Sequence, residues 1–226
     1  MTRVVGVGRH RGRVTALLVL LTMLAGCQVS PYYASMERLG VSRGEVLAER
    51  VDAARDAQRR SQKALSSALS RLELALSASP STFSREREAL TEALETSRDA
   101  QRELAWRLEE ADEAADAVFS QWREELDAYH DARYRELSEQ QLARSRARYA
   151  ELRDALGASR DQMQPLTATL DDAALLLKHE ENARDMAALG DRVSLMGDEM
   201  ATLTTRAERI DRETDALVEA LHDVRQ

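Results

Sequence analysis

Apolar residues recur along most of this chain at alternating steps of four and three, the spacing that holds one side of an α-helix against a partner helix. From Leu47 the series passes through Val51, Ala54, Gln58, Ser61, Leu65, Ala68, Leu72 and Ala75. A second runs from Leu90 through Leu94, Ser97, Gln101, Leu104, Leu108, Ala111, Ala115, Val118, Trp122 and Glu125 to Tyr129. A third starts at Leu142 and reaches Leu177 by way of Ser145, Tyr149, Leu152, Leu156, Ser159, Met163, Leu166, Leu170 and Ala173. The last runs from Met186 to Val224 through Leu189, Val193, Met196, Met200, Leu203, Ala207, Ile210, Thr214, Leu217 and Leu221. Arg, Glu and Asp crowd the flanking positions. Four such seams predict an all-α fold, an elongated antiparallel four-helix coiled-coil bundle. Methionines and aromatics on the seams read as core, not as a cofactor pocket.

Breakers and caps divide the seams. Ser42 and Glu45 have capping-box spacing after the Gly40 to Gly44 turn. The stretch SASPSTFS (77–84) reads as a loop, with Ser84 as the expected N-cap of the second helix. No Gly or Pro stands between Ser84 and Leu156, but the seam slips by one residue between Tyr129 and Leu142. That places a turn at His130 and Asp131, with Asp131 capping the third helix. Asn182 is the expected cap of the fourth. Pro165 leaves the seam in phase on both sides, so it should kink the third helix without ending it. The expected helices are 45–77, 84–129, 132–178 and 182–225, within a bundle over 45–226. Short connections between long helices make neighbours antiparallel.

The beginning of the chain has a different character. Arg3, Arg9, Arg11 and Arg13, without an acidic residue, precede the apolar run Val14 to Ala25. That is the charged region and hydrophobic region of a signal peptide, and the run is shorter than the roughly 20 residues of a comfortable bilayer span. Leu24-Ala25-Gly26-Cys27 then resembles the lipobox of bacterial lipoproteins. The resemblance implies cleavage after residue 26, lipidation of Cys27, and a lead-in segment over 27–44. It also implies outer-membrane sorting, because Gln28 stands where an aspartate would signal inner-membrane retention. Cys27 is the only cysteine, so it has no disulfide partner within the chain, and no Cys or His stands near it at metal spacing. Two or three acyl chains would anchor far more firmly than one.

Removing residues 1–26, with four arginines and no acids, moves the formal charge from −8 to −12. An acidic mature chain argues against general nucleic-acid binding, which needs a basic face. Low aromatic content, 4 %, and scarce proline suit long helices.

Three blocks resemble a proteobacterial family of secreted helical proteins classed as a domain of unknown function. They are YYASMERLGVSRGEVLAERVDAARDAQ (32–58), ARSRARYAELRDAL with the MQPL that follows it, and LLKHEENARD (176–185). The family often carries proline where Ala132 stands, consistent with a turn at Asp131. The resemblance implies a secreted helical fold and no particular activity.

Candidate chemistry is sparse. Glu219-x-x-His222 and Asp127-x-x-His130 have the spacing of di-metal bundle ligands, but in the heptad frame all four fall on outward positions. HEEN (179–182) lacks the second histidine of a zinc motif. No Gly-rich phosphate loop or nucleophile elbow appears. The expectation is therefore no enzyme, no metal and no cofactor. Arg133, Arg135, Arg144, Arg146 and Arg148 form the one basic stretch. They could pair with Glu136, Glu139 and Glu151 at helical spacings, or meet anionic head groups if the third helix begins near the membrane. Phe83, Lys178, His179 and Asn182 should share the opposite end and are a candidate partner-binding tip. The expected role is an outer-membrane-anchored periplasmic lipoprotein serving as a structural or protein-interaction scaffold. Its partners would be the membrane and another envelope protein. The alternatives are a carrier of a hydrophobic ligand and an envelope hydrolase.

Overall fold

The computed structural model describes residues 36, 41–179 and 183–223. The chain divides into two compact units, Met1–Val41 and Ser42–Gln226. In the first, the Val41 N–H donates to Met36 O at 3.0 Å. Cys27 and Asn182 lie outside the described residues.

The second unit holds four helices, α1 (Arg43–Leu76), α2 (Phe83–Leu126), α3 (Ala132–His179) and α4 (Ala183–Asp223), with no strand among the described residues. Helix α1 opens with a complete capping box. The Glu45 N–H donates to Ser42 Oγ at 3.2 Å, and the Ser42 N–H donates to Glu45 Oε2 at 2.8 Å. Two end groups of the helix are thereby satisfied reciprocally. At α3, Asp131 Oδ1 accepts from the Arg133 N–H at 2.8 Å. Helix α2 begins earlier than expected. Its N-cap is Thr82, whose side chain makes no cap bond, and Ser84 is already inside the helix. Helix α3 continues through Pro165, on the exposed side where the missing N–H is least costly.

Packing follows the heptads. Helix α1 touches all three others, α3 touches all three, and α2 and α4 do not meet among the described residues. The cross-section is therefore a rhombus with α1 and α3 on its short diagonal. Antiparallel pairing is fixed by named contacts. Arg50 bridges Glu110 at 2.9 Å between α1 and α2, and Arg98 bridges Asp171 at 2.5 Å between α2 and α3. Arg148 Nη1 donates to Ala216 O at 3.3 Å between α3 and α4, and Arg59 bridges Asp211 at 2.7 Å between α1 and α4.

All nine seam positions of α1 are buried, and so are Val46, Ala57 and Leu69 beside them. A second buried stripe is what a helix with three neighbours requires. Small residues at Ala54, Ser61 and Ser159 let the diagonal pair approach. Each fully buried leucine, such as Leu65, Leu104, Leu152 or Leu203, contributes about 1.5–3 kcal/mol.

The α2 seam departs from the expected one at its end. Glu125 and Tyr129 are exposed, and Leu126 is buried in their place. The step from Trp122 to Leu126 is four residues where the heptad calls for three, so the slip falls within α2. The helix stops at Leu126, not Tyr129, and residues 127–131 form the turn.

Candidate functional site

The α2–α3 hairpin end is built from aromatic and arginine side chains. Trp122 Nε1 donates to Ser138 Oγ at 2.9 Å, both residues being buried. One turn deeper, Phe119 meets Tyr149 edge to face, with centroids 6.0 Å apart. The Arg146 guanidinium lies 5.9 Å from the Phe119 ring, at the limit of cation–π reach. Tyr149 donates from its hydroxyl to Asp112 Oδ1 at 2.7 Å, and Arg153 Nε approaches the same carboxylate at 3.4 Å. Burial, then the Asp112 hydrogen bond, pushes Tyr149 ionisation well above the usual phenol range. The arrangement locks the hairpin.

Of the expected arginine pairs, one forms. Arg135 bridges Glu139 at 3.0 Å and also reaches Asp127 at 3.5 Å. Arg148 bonds the Ala216 carbonyl, and Glu136 accepts from Gln140 Nε2 at 3.4 Å. The side chains of Arg133 and Arg144 make no hydrogen bond or ion pair among the described residues. Between α3 and α4 lies an open groove of about 340 Å³ lined by Gln141, Arg144, Ser145, Arg148, Glu219 and Ala220. Next to these arginines, Tyr129, Tyr134 and Leu137 stand out into solvent, Tyr134 with 61 % of its surface exposed. Sequence reasoning missed this patch. The signal was there in Tyr134 and Leu137, large residues each one position before a residue on the Leu142 seam extended backward, Arg135 and Ser138.

At the other end, Phe83 is the half-buried first residue of α2, and its N–H donates to Ser79 O at 2.9 Å. Lys178 is exposed near the end of α3, and His179 closes that helix. The Arg98–Asp171 bridge sets the start of α2 beside the end of α3, so Phe83 and Lys178 share one end of the bundle.

Asp127 and His130 sit exposed in the α2–α3 turn, and Glu219 is exposed on α4. Among the described residues no group of three His, Cys, Asp or Glu could hold a metal ion. No described helix is long and apolar enough to cross a membrane. The small seam residues pack closely. Ser97, Ala111 and Ala115 are buried, and Gln101 Nε2 donates to Thr167 Oγ1 at 2.5 Å.

Residues 32–221 match a protein family described as Protein of unknown function (DUF2959). No curated protein and no solved structure matches the chain.

Proposed function

Since the chain belongs to the DUF2959 family, whose description assigns no activity, we propose a role from its own residues. It is an outer-membrane lipoprotein, anchored through acylated Cys27, that presents its helical bundle to the periplasm as a scaffold for another envelope protein. The observation that carries the anchor is Leu24-Ala25-Gly26-Cys27 following an arginine-rich start and a short apolar run. The scaffold role is supported by the bundle's chemistry. Its seams are filled with leucine, alanine and small polar residues, and the half-buried Tyr149–Asp112 pair ties α2 to α3. A carrier would need a widened seam, and the buried Ser97, Ala111 and Ala115 argue for close packing instead.

The test is Cys27→Ser expressed in the native envelope beside wild type. Wild type should incorporate radioactive palmitate and sediment with outer membranes. The variant should stay unlabelled, with the signal segment uncleaved by the lipoprotein peptidase. Mature, membrane-bound Cys27→Ser protein would defeat the anchor.

A further inference from the structure

We propose that one flank of the α2–α3 hairpin, carrying Arg133, Tyr134, Leu137, Arg144 and Arg148, is a docking surface for an anionic phospholipid bilayer. The inference rests on the lipid-anchor reading and adds a second, electrostatic contact that would orient the bundle.

Three observations carry it. First, the charges on α3 from Arg133 to Arg148 are segregated. At about 100° per residue, Arg133, Leu137, Arg144 and Arg148 fall within about 60° of one another around the helix. Glu136 and Glu139 lie about 90° and 150° from the centre of that stripe, and Glu151, on the same face about one turn past Arg148, ends it. Arg135, on the acidic side, is already neutralised by Glu139 and Asp127. The stripe's own guanidiniums bind no carboxylate. Arg133 and Arg144 are unpaired among the described residues, and Arg148 bonds a carbonyl. The acid that lines the adjoining groove is Glu219.

Second, the stripe flanks α4 at Arg144 and Arg148 and carries exposed apolar and phenolic side chains at its outer end. Leu137 is 53 % exposed and Tyr134 61 %. Large apolar and phenolic side chains interleaved with arginines fit the boundary between lipid tails and phosphates, where tyrosine is at home and arginine meets anionic head groups. An acidic protein segment would use the arginines but gain little from Leu137.

Third, topology puts the stripe at the end where α1 begins. Arg43 Nη1 donates to Ala117 O at 3.4 Å, and α2 runs on to Leu126, past that contact. Fifteen residues separate Cys27 from Ser42, at most about 50 Å of chain. The bundle of an anchored chain therefore stays close to the surface. Arg133 to Arg148 spans roughly 22 Å along the helix, so the hairpin must tilt onto the bilayer to engage both ends of the stripe.

The experiment uses the mature chain extracted from membranes, with an environment-sensitive dye placed through Tyr134→Cys or, at the opposite end, Ser81→Cys. Each is added to excess vesicles of phosphatidylcholine, with or without phosphatidylglycerol. The emission at position 134 should shift to the blue on anionic vesicles and not on neutral ones, while position 81 stays unchanged on both. Adding Arg144→Gln and Arg148→Gln should weaken that docking equilibrium roughly 30-fold, with helical content unchanged and melting lowered by no more than a few degrees through the lost Ala216 contact. No shift at 134, an equal shift on neutral vesicles, an equal shift at 81, or insensitivity to the two arginines would overturn the proposal. Wild type treated with the dye separates the two readings. Labelling of Cys27 would mean the anchor is absent, and Cys27→Ser added to both dye variants would then leave positions 134 and 81 as the sole reporters of docking.

Discussion

Gln58 of α1 donates from Nε2 to Ser159 Oγ of α3 at 3.1 Å, directly across the short diagonal, and both residues are fully buried. The Gln58 Oε1 has no protein partner. Close by, Ser61 Oγ donates to Met163 Sδ at 3.5 Å. A buried amide facing a hydroxyl at seam positions favours one register over its neighbours, because sliding either helix strands a polar group.

Removing half of that pair should therefore cost more than removing both. Ser159→Ala should lower unfolding free energy by about 1–3 kcal/mol. Adding Gln58→Leu to it should recover most of the loss. Urea titrations of the two single variants and the double would show the coupling, and strictly additive losses would contradict it.

Leu203 and Leu195 lie two turns apart on α4 with opposite exposure, 0 % and 55 %. Leu203→Asp should destabilise by at least about 3 kcal/mol by burying an unpaired charge. Leu195→Asp should stay within about 0.5 kcal/mol. Thermal melts followed by circular dichroism would separate the two.

Tyr149 gives the bundle an alkaline limit. Its folded pKa is raised above the unfolded value of about 10. Its contribution is therefore full below pH 10 and is lost as pH rises above that, because the unfolded chain releases the proton more readily. Tyr149→Phe should cost about 1–2 kcal/mol at neutral pH through the lost Asp112 bond. It should also flatten the fall in stability above pH 10. A variant whose stability falls as steeply as wild type there would contradict this origin.

The opposite end of the bundle gives a test of partner binding. Alanine at Phe83, Lys178 and His179 should remove photo-crosslinked partners in the cell without lowering the melting temperature by more than a few degrees. Partners that persist, or losses that merely track unfolding, would leave Phe83 and Lys178 as parts of the bundle's end packing.

The heptads made most of this fold legible. Every seam position of α1 is buried, and its polar members Gln58 and Ser61 find partners on α3. The capping box at Ser42 and Glu45 was equally readable, since both partners are local. The end of α2 was not. Glu125 and Tyr129 occupy heptad positions, but Leu126 beside them carries no polar group to desolvate, and burial of apolar surface outweighed period. Nor could periodicity order the helices around the axis. The α1–α3 diagonal depends on how closely Ser61 and Ser159 let two backbones approach. For the basic stretch, spacing suggested arginine–glutamate pairs, yet Arg148 turned to a carbonyl of α4 and Arg146 to the Phe119 ring. Such choices depend on neighbours from distant sequence. Tyr134 and Leu137 became a candidate surface only when the structure showed both exposed.

Intact-mass spectrometry of the protein extracted from outer membranes tests the central claim most directly. The account predicts a chain that begins at Cys27 and carries a diacylglycerol on its sulfur, with a further acyl group on its amine. A chain that retains residues 1–26, or one cleaved elsewhere with an unmodified Cys27, would contradict it.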